Sequence, residues 1–272
     1  MAANSNNTNS YRLPVPLGYE DVFSHFYFAR NPEDQPKSQS LLPSFQQIMV
    51  FILTGGVIIK DPFNEAVQLN HAVILGPVKK VLEYTLLPKT QMLVINFKPG
   101  SFYRFFGSIH DTHSTHLDPD TLTLENCFTD LLESLRRLLS PEEMIAEILK
   151  FSKPYLREKS DILKQFVKSS DSFISPIKNI AAAKEQTVRS IQRQHKKMLG
   201  YSAKELLRFE RFIKAIQMLE AIAQKAVKED WFQIIDSCGY YDQSQLIHDF
   251  KYFLALTPKE YLRVQRHICN PL

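Results

Sequence analysis

The chain has 272 residues, 44% hydrophobic and 23% charged, with a formal net charge of +4. That composition is globular, long enough for two domains with separate cores, and it excludes a disordered chain. Three cysteines, Cys127, Cys238 and Cys269, are far apart and form no C-x-x-C pair, so neither a disulfide framework nor a zinc site is indicated. The polar opening Met1–Ser10 does not read as a signal peptide. The apolar run 48–60, broken by Thr54-Gly55-Gly56, is shorter than the ~20 residues a bilayer requires, so a cytoplasmic protein with no membrane partner is expected.

From about Tyr11 to Gly107, short apolar or alternating runs are punctuated by Gly and Pro. Gln46–Phe51, Val57–Lys60, Ala72–Leu75, Lys80–Leu86 and Gln91–Phe97 read as strands. Thr54-Gly55-Gly56 reads as a hairpin, and Leu75-Gly76-Pro77 and Lys98-Pro99-Gly100 as turns. Five or more such strands imply a β-barrel or a β-sandwich. The aromatic cluster Phe97, Phe102, Tyr103, Phe105 and Phe106 suits a core better than a ligand pocket. His110, His113 and His116 lie in a Ser/Thr/Asp-rich stretch that reads as a loop. On a helix they would fan over ~120°, too wide for one metal, so no metal or cofactor is expected.

Helical periodicity begins at Thr123–Leu139 and continues in Pro141–Phe151, where Ser140 caps and Pro takes the first helical position. The charged stretch Lys153–Asp171 is helical in pattern and reads as the connection. Beyond it, Pro176–Ala183, Val188–Leu199, Ala203–Lys225, Glu229–Ser237, Gln243–Leu254 and Pro258–His267 each carry an apolar stripe. Thr187, Ser202, Asp242 and Thr257 stand as N-caps. The fold class is therefore α+β: a β-rich domain over 11–152 and an all-α domain over 160–268. Charge follows the same division. Residues 151–272 hold 21 basic and 13 acidic residues, whereas 1–150 hold 12 and 16, so the carboxyl half is the one suited to a polyanion.

The carboxyl half repeats itself at an offset of 55 residues. Thr187 falls on Asp242, Ile191 on Leu246, Lys196 on Lys251 and Leu199 on Leu254. Ser202-Ala-Lys-Glu-Leu-Leu-Arg208 falls on Thr257-Pro-Lys-Glu-Tyr-Leu-Arg263. Agreement across caps and core positions marks one supersecondary unit used twice. Each copy runs helix, tight turn, helix, then a capped third helix, the order of a helix-turn-helix.

These residues carry a resemblance. Ile180-Ala181, Thr187-Val-Arg-Ser-Ile-Gln-Arg193 and Gly200-Tyr-Ser202 are similar to the first motif of the bacterial AraC/XylS transcription regulators. Cys238-Gly-Tyr-Tyr-Asp-Gln-Ser-Gln-Leu-Ile-His-Asp-Phe-Lys251, followed by Leu256-Thr257-Pro258 and Tyr261, is similar to the second. The resemblance covers roughly the last ninety residues. The amino half resembles, less specifically, a β-rich, cupin-like sensor found in part of that family, through Val94–Gly100 and the Gly107 after Phe105-Phe106.

What the resemblance implies is a non-enzymatic regulator with two recognition helices in adjacent major grooves of double-stranded DNA. The long Ala203–Lys225 helix would set their spacing of ~34 Å at ~1.5 Å per residue. Arg189, Gln192 and Arg193 in the first unit, and Gln243, Ser244, Gln245 and His248 in the second, would meet base edges. Lys196, Lys197, Arg208, Lys251 and Arg263 would meet phosphates. A small-molecule effector, RNA polymerase and a second copy of the chain are the further candidate partners; the ligand-binding residues are unknown. Against the family pattern, His195 replaces a Phe, Glu185 and Ala255 replace Gly, Ile235 replaces a small residue and His248 replaces an Arg. Glu185 predicts a turn that either avoids positive φ or carries strain. The first unit keeps the fuller contact set. The alternative is a cupin-like metal- or ligand-binding protein whose helical half is a scaffold.

Overall fold

The computed structural model describes residues 9–60, 65–107, 116–123, 125–168, 177–224 and 230–264. Its strands are β1 (Ser10–Leu13), β2 (Phe23–Arg30), β3 (Lys37–Leu41), β4 (Ile48–Thr54), β5 (Val57–Lys60), β6 (Ala66–Leu69), β7 (Ala72–Leu75), β8 (Leu82–Leu86), β9 (Gln91–Phe97) and β10 (His116–Leu117). Its α-helices are α1 (Ser101–Phe106), α2 (Asp120–Thr123), α3 (Cys127–Leu135), α4 (Pro141–Ser152), α5 (Asp161–Lys168), α6 (Ile177–Ala183), α7 (Val188–Leu199), α8 (Ala203–Gln224), α9 (Trp231–Cys238), α10 (Gln243–Leu254) and α11 (Pro258–Val264). The class is α+β, an amino-terminal antiparallel β-sandwich followed by a helical domain.

One sheet runs β1-β2-β9-β4-β7-β10 and the other β3-β8-β5-β6. β4 and β9 are apolar at nearly every position because both faces of the larger sheet are covered. Ile48, Val50, Ile52, Met92 and Val94 face the smaller sheet, whereas Met49, Phe51, Leu53, Leu93, Ile95 and Phe97 meet the helices α1, α3 and α4. Burying a side chain such as Phe51 or Leu93 contributes about 1.5–3 kcal/mol. α4 starts as its sequence predicts, with Ser140 and Glu143 forming a capping box and Pro141 at the first helical position.

Three local expectations change. Thr54-Gly55-Gly56 closes no hairpin: β4 pairs with β7 and β9, β5 with β6 and β8, so the chain crosses there from one sheet to the other. Buried Thr90 holds this crossing, its hydroxyl donating to Gly56 O at 2.8 Å and accepting from Gly56 N at 3.0 Å. A Cβ at Gly55 would lie 2.5 Å from Thr90 Oγ1, so only glycine fits. Second, the helix expected over Thr123–Leu139 is shorter: α2 ends at Thr123 and α3 covers only Cys127–Leu135. Third, Lys153–Asp171 is not one helix. Pro154 lacks a backbone donor, a 3₁₀ turn covers Lys153–Tyr155, Leu156 is extended, and helix resumes only at Asp161.

The helical domain has its own core, centred on Phe212, Ala215, Leu219, Ile234, Leu246, Phe250 and Phe253, and α5 adds Leu163 and Phe166 to it. The sandwich docks on this domain through two loops, 42–47 and 76–81. Phe45 stacks on Phe209 at 4.3 Å and lies edge-on to Tyr201 and Phe253. Gln47 Nε2 donates to Leu199 O at 3.0 Å, and Val81 N donates to Phe253 O at 2.8 Å. Lys79 pairs with Glu205 at 2.8 Å. One surface of the sandwich thus touches the ends of both α7 and α10.

Candidate nucleic-acid interface

The two halves of the repeat fold alike, down to their caps. α7 and α10 are each 12 residues long and start 55 apart. Thr187 Oγ1 accepts from Ser190 N, and Asp242 Oδ1 from Gln245 N, each satisfying a donor that a helix start leaves unpaired. Each following helix opens on a reciprocal capping box, Ser202 with Glu205 and Thr257 with Glu260; in both, the cap N donates to the glutamate at 2.7 Å. Buried positions correspond: Ile191 with Leu246, His195 with Phe250, Leu199 with Leu254.

The turns close the same way with different residues. Gln186 N donates to Ala181 O and Tyr240 N to Ile235 O, the wide bond of a Schellman ending. The left-handed residue this requires is Glu185 (φ 51°) in the first unit and Gly239 (φ 73°) in the second. The Glu185 turn therefore takes the strained option. Past the second helix the roles exchange: Gly200 (φ 82°) ends α7 and Ala255 (φ 59°) ends α10. The second turn is also one residue longer, which leaves Tyr241 91% exposed beside the start of α10.

Arg189, Gln192, Arg193, Lys196 and Lys197 lie along one exposed face of α7, at helical spacing. On α10 the corresponding positions are Ser244, Ile247, His248, Lys251 and Tyr252, so one permanent charge stands where the first unit has four. Gln243, Ser244, His248 and Lys251 are exposed, as is Arg263 on α11. Gln245 is half-buried, its Oε1 accepting from Tyr241 N at 2.9 Å, so it braces the turn instead of reaching outward as expected.

Arg208, expected against phosphate, is drawn inward. Its Nε donates to Asp249 Oδ1 at 2.6 Å, its Nη2 donates to His248 Nδ1 at 3.2 Å, and its guanidinium lies 4.0 Å over the Tyr252 ring. Asp249, 1% exposed, also accepts from Arg211 at 3.1 Å. A carboxylate buried that deeply is tolerable only when paired, so two arginines of α8 fix α10 in place. The first unit has Gln194 at the matching position, bonded to Gln186 and Ser190 of its own helix and turn. Nothing in composition or spacing marks Asp249; the tertiary contact alone reveals it.

His195, the residue standing for a core Phe, is buried edge-on to Phe166 at 4.9 Å, with Nδ1 2.9 Å from Tyr201 O. Burial holds its pKa below the usual value despite that bond and nearby Glu205. Glu205 behaves oppositely. Burial would raise its carboxyl pKa, but Lys79 and Ser202 keep it below the usual range.

Between the two sheets lies a cavity of about 240 Å³. Its walls are aliphatic, including Leu41, Ile48, Leu75 and Leu82, and its polar lining includes Arg12, His25, Tyr27 and Asn96. Strand register gathers those four: His25 pairs with Asn96, and Arg12 with Tyr27. Burial and then the Arg12 charge lower the His25 pKa to about 4, leaving the imidazole neutral at pH 7. A smaller void of about 60 Å³ sits among Phe97, Phe105 and Phe106, while Phe102 is core. His110 and His113 lie outside the described residues; His116 is on β10, opposite Leu75. Among the described residues no group of three metal-binding side chains forms, and no helix is long and apolar enough to cross a membrane.

No family model matches this chain, and no curated protein does. Among solved structures it is similar to ToxT from Vibrio cholerae, at 14% identity over 88% of this chain and 98% of that one, with a TM-score of 0.42. ToxT from the O395 strain gives 15% identity over 90% and 98%, with a TM-score of 0.41. A cupin superfamily protein from Desulfitobacterium hafniense gives 17% identity over 36% of this chain and 83% of that one, with a TM-score of 0.27.

Proposed function

We propose that this protein is a sequence-specific DNA-binding transcription regulator of the AraC/XylS type, with its sensing domain at 11–152 and its DNA-binding domain at 160–268. The observation that carries the reading is the pair of identically capped helices, α7 and α10, each presenting an outward polar face from one shared core. An α-helix of that kind fits the major groove of B-DNA. α8, at 22 residues and ~1.5 Å each, spans ~33 Å, about the distance between successive grooves. Arg189, Gln192, Arg193, Gln243, Ser244 and His248 then face base edges, while Lys196, Lys197, Lys251 and Arg263 face phosphates.

Four phosphate contacts predict a slope of about −4 when the logarithm of the binding constant is plotted against that of salt concentration. Fluorescence anisotropy with duplexes selected from genomic fragments tests this. A chain that binds no duplex at low salt sinks the reading.

The cavity between the sheets suits a mainly apolar effector whose polar or anionic end meets Arg12, His25 and Asn96. Four of its wall residues border the two docking loops: Leu41 and Ile48 flank loop 42–47, and Leu75 and Leu82 flank loop 76–81. A ligand that moves those walls shifts the seat of both recognition helices at once. Titrating the duplex complex with long-chain carboxylates checks this, and Arg12→Ala should weaken their effect.

A further inference from the structure

His248 is the exposed residue of α10 that occupies the position of Arg193 in the first unit, and it has an unusual neighbour. Arg208 Nη2 approaches its Nδ1 at 3.2 Å. A guanidinium carries only donors and keeps its proton at any physiological pH, so Nδ1 must be the acceptor. The ring's own proton then sits on Nε2, the nitrogen on the far side of the ring from Arg208. The competing arrangement, with Nδ1–H donating to Asp249, is not available. Asp249 Oδ1 is 3.9 Å from Nδ1, too far for a hydrogen bond, and both carboxylate oxygens already accept from Arg208 and Arg211. Arg208 is itself immobilised, by Asp249 on one side and by the Tyr252 ring beneath it.

We propose that Arg208 is a positioning residue that locks His248 in its Nε2–H tautomer, making position 248 a dedicated hydrogen-bond donor to the DNA. This rests on the regulator reading above and adds a specificity to it. An unlocked histidine can change tautomer and so either donate or accept, meeting an acceptor such as guanine O6 or N7 or a donor such as the cytosine N4 amino group. A locked one meets acceptors alone: guanine O6 or N7, adenine N7, or thymine O4. The base facing His248 is therefore any but cytosine. The same contact explains how the second unit works with less charge than the first. Its arginine serves from α8 by orienting the reader, where the first unit extends Arg193 directly.

The test uses the full chain with ¹⁵N-labelled histidine and long-range ¹H–¹⁵N correlation spectra at neutral pH, without DNA. His248, assigned by the signal missing in His248→Gln, should show the Nε2–H pattern. Arg208→Met should turn it into a tautomer mixture, because it keeps an aliphatic stem but offers Nδ1 no N–H, while Arg211 keeps the carboxylate paired and the domain folded. In selection from a randomised duplex library, His248→Gln, which keeps a donor near Nε2, should retain the exclusion of cytosine at one position. His248→Asn, too short to reach, should lose about fivefold in preference there, the worth of one ordinary hydrogen bond. A wild-type spectrum showing Nδ1–H or an even mixture overturns the lock, as does an Arg208→Met spectrum identical to wild type. Equal loss in His248→Gln and His248→Asn overturns the base contact. Absence of all duplex binding overturns the regulator reading and the base contact together, and is told apart from failure of the lock because the tautomer is read on the free protein.

Discussion

The two halves of the repeat share a frame and differ in how they hold their second helix. In the first, α7 meets the rest of the domain through Ile191, His195 and Leu199, and its outer face carries four permanent positive charges. In the second, α10 is tied to α8 by the buried Asp249 and two arginines, and its outer face carries one such charge. Duplication has preserved what the backbone needs, caps and core positions, and let the surface chemistry diverge. Even the strain is shared out: each unit has one glycine and one bulkier residue in a left-handed position, Glu185 with Gly200 and Gly239 with Ala255.

The sharpest way to break this comparison is at Asp249. Asp249→Ala removes the shared acceptor of Arg208 and Arg211 and should cost about 3 kcal/mol of stability in urea unfolding. Gln194→Ala, at the matching position of the first unit, should cost below about 1 kcal/mol, since its bonds lie at or near the surface and join neutral groups. Equal costs would mean the two helices are held alike. Next in size is Arg193→Ala, expected to weaken duplex binding by about 1–3 kcal/mol and relax the choice of one base, against a smaller loss for Ser244→Ala. Anisotropy titrations on a matched and a randomised duplex would measure both.

Relief of backbone strain comes third. Glu185→Gly and Ala255→Gly should each stabilise the protein by up to about 1 kcal/mol, seen as a higher Tm, because glycine enters the left-handed region without a Cβ penalty. Gly200→Ala should do the reverse, its new Cβ lying 3.0 Å from Pro77 as well as meeting a φ of 82°. The smallest effect is a pH dependence private to the first unit. His195 has a pKa lowered by burial, so the unfolded chain binds its proton more readily. Stability from this group is whole above about pH 6.5, the ordinary histidine value, and falls as the pH drops below it. His195→Phe should flatten that part of the pH–stability curve, leaving the share of His25, whose pKa is lowered to about 4, in place.

Much of the carboxyl half was legible without coordinates because its signals are local. Thr187 and Asp242 announce the starts of α7 and α10, and apolar residues at three and four announce their inward faces. The amino half was harder. β2 carries a register shift between Phe23 and His25 that breaks its alternation, and the short edge strands β1 and β3 have too few apolar residues to show one. The turn at Gly55 could be seen, but not that it changes sheets.

Taken alone, the order of residues determined the two-part α+β layout, the doubled helical unit and the polar faces of its second helices, since each depends on residues within a few positions of one another. Only the tertiary structure decided that Arg208 turns inward, that Asp249 is buried between two arginines 38 and 41 residues away, and that the cavity wall and the docking loops are neighbours. Those are pairings across long stretches of chain, and the energy that selects them comes from desolvating charge and packing rings against one another, which no local pattern of side chains encodes.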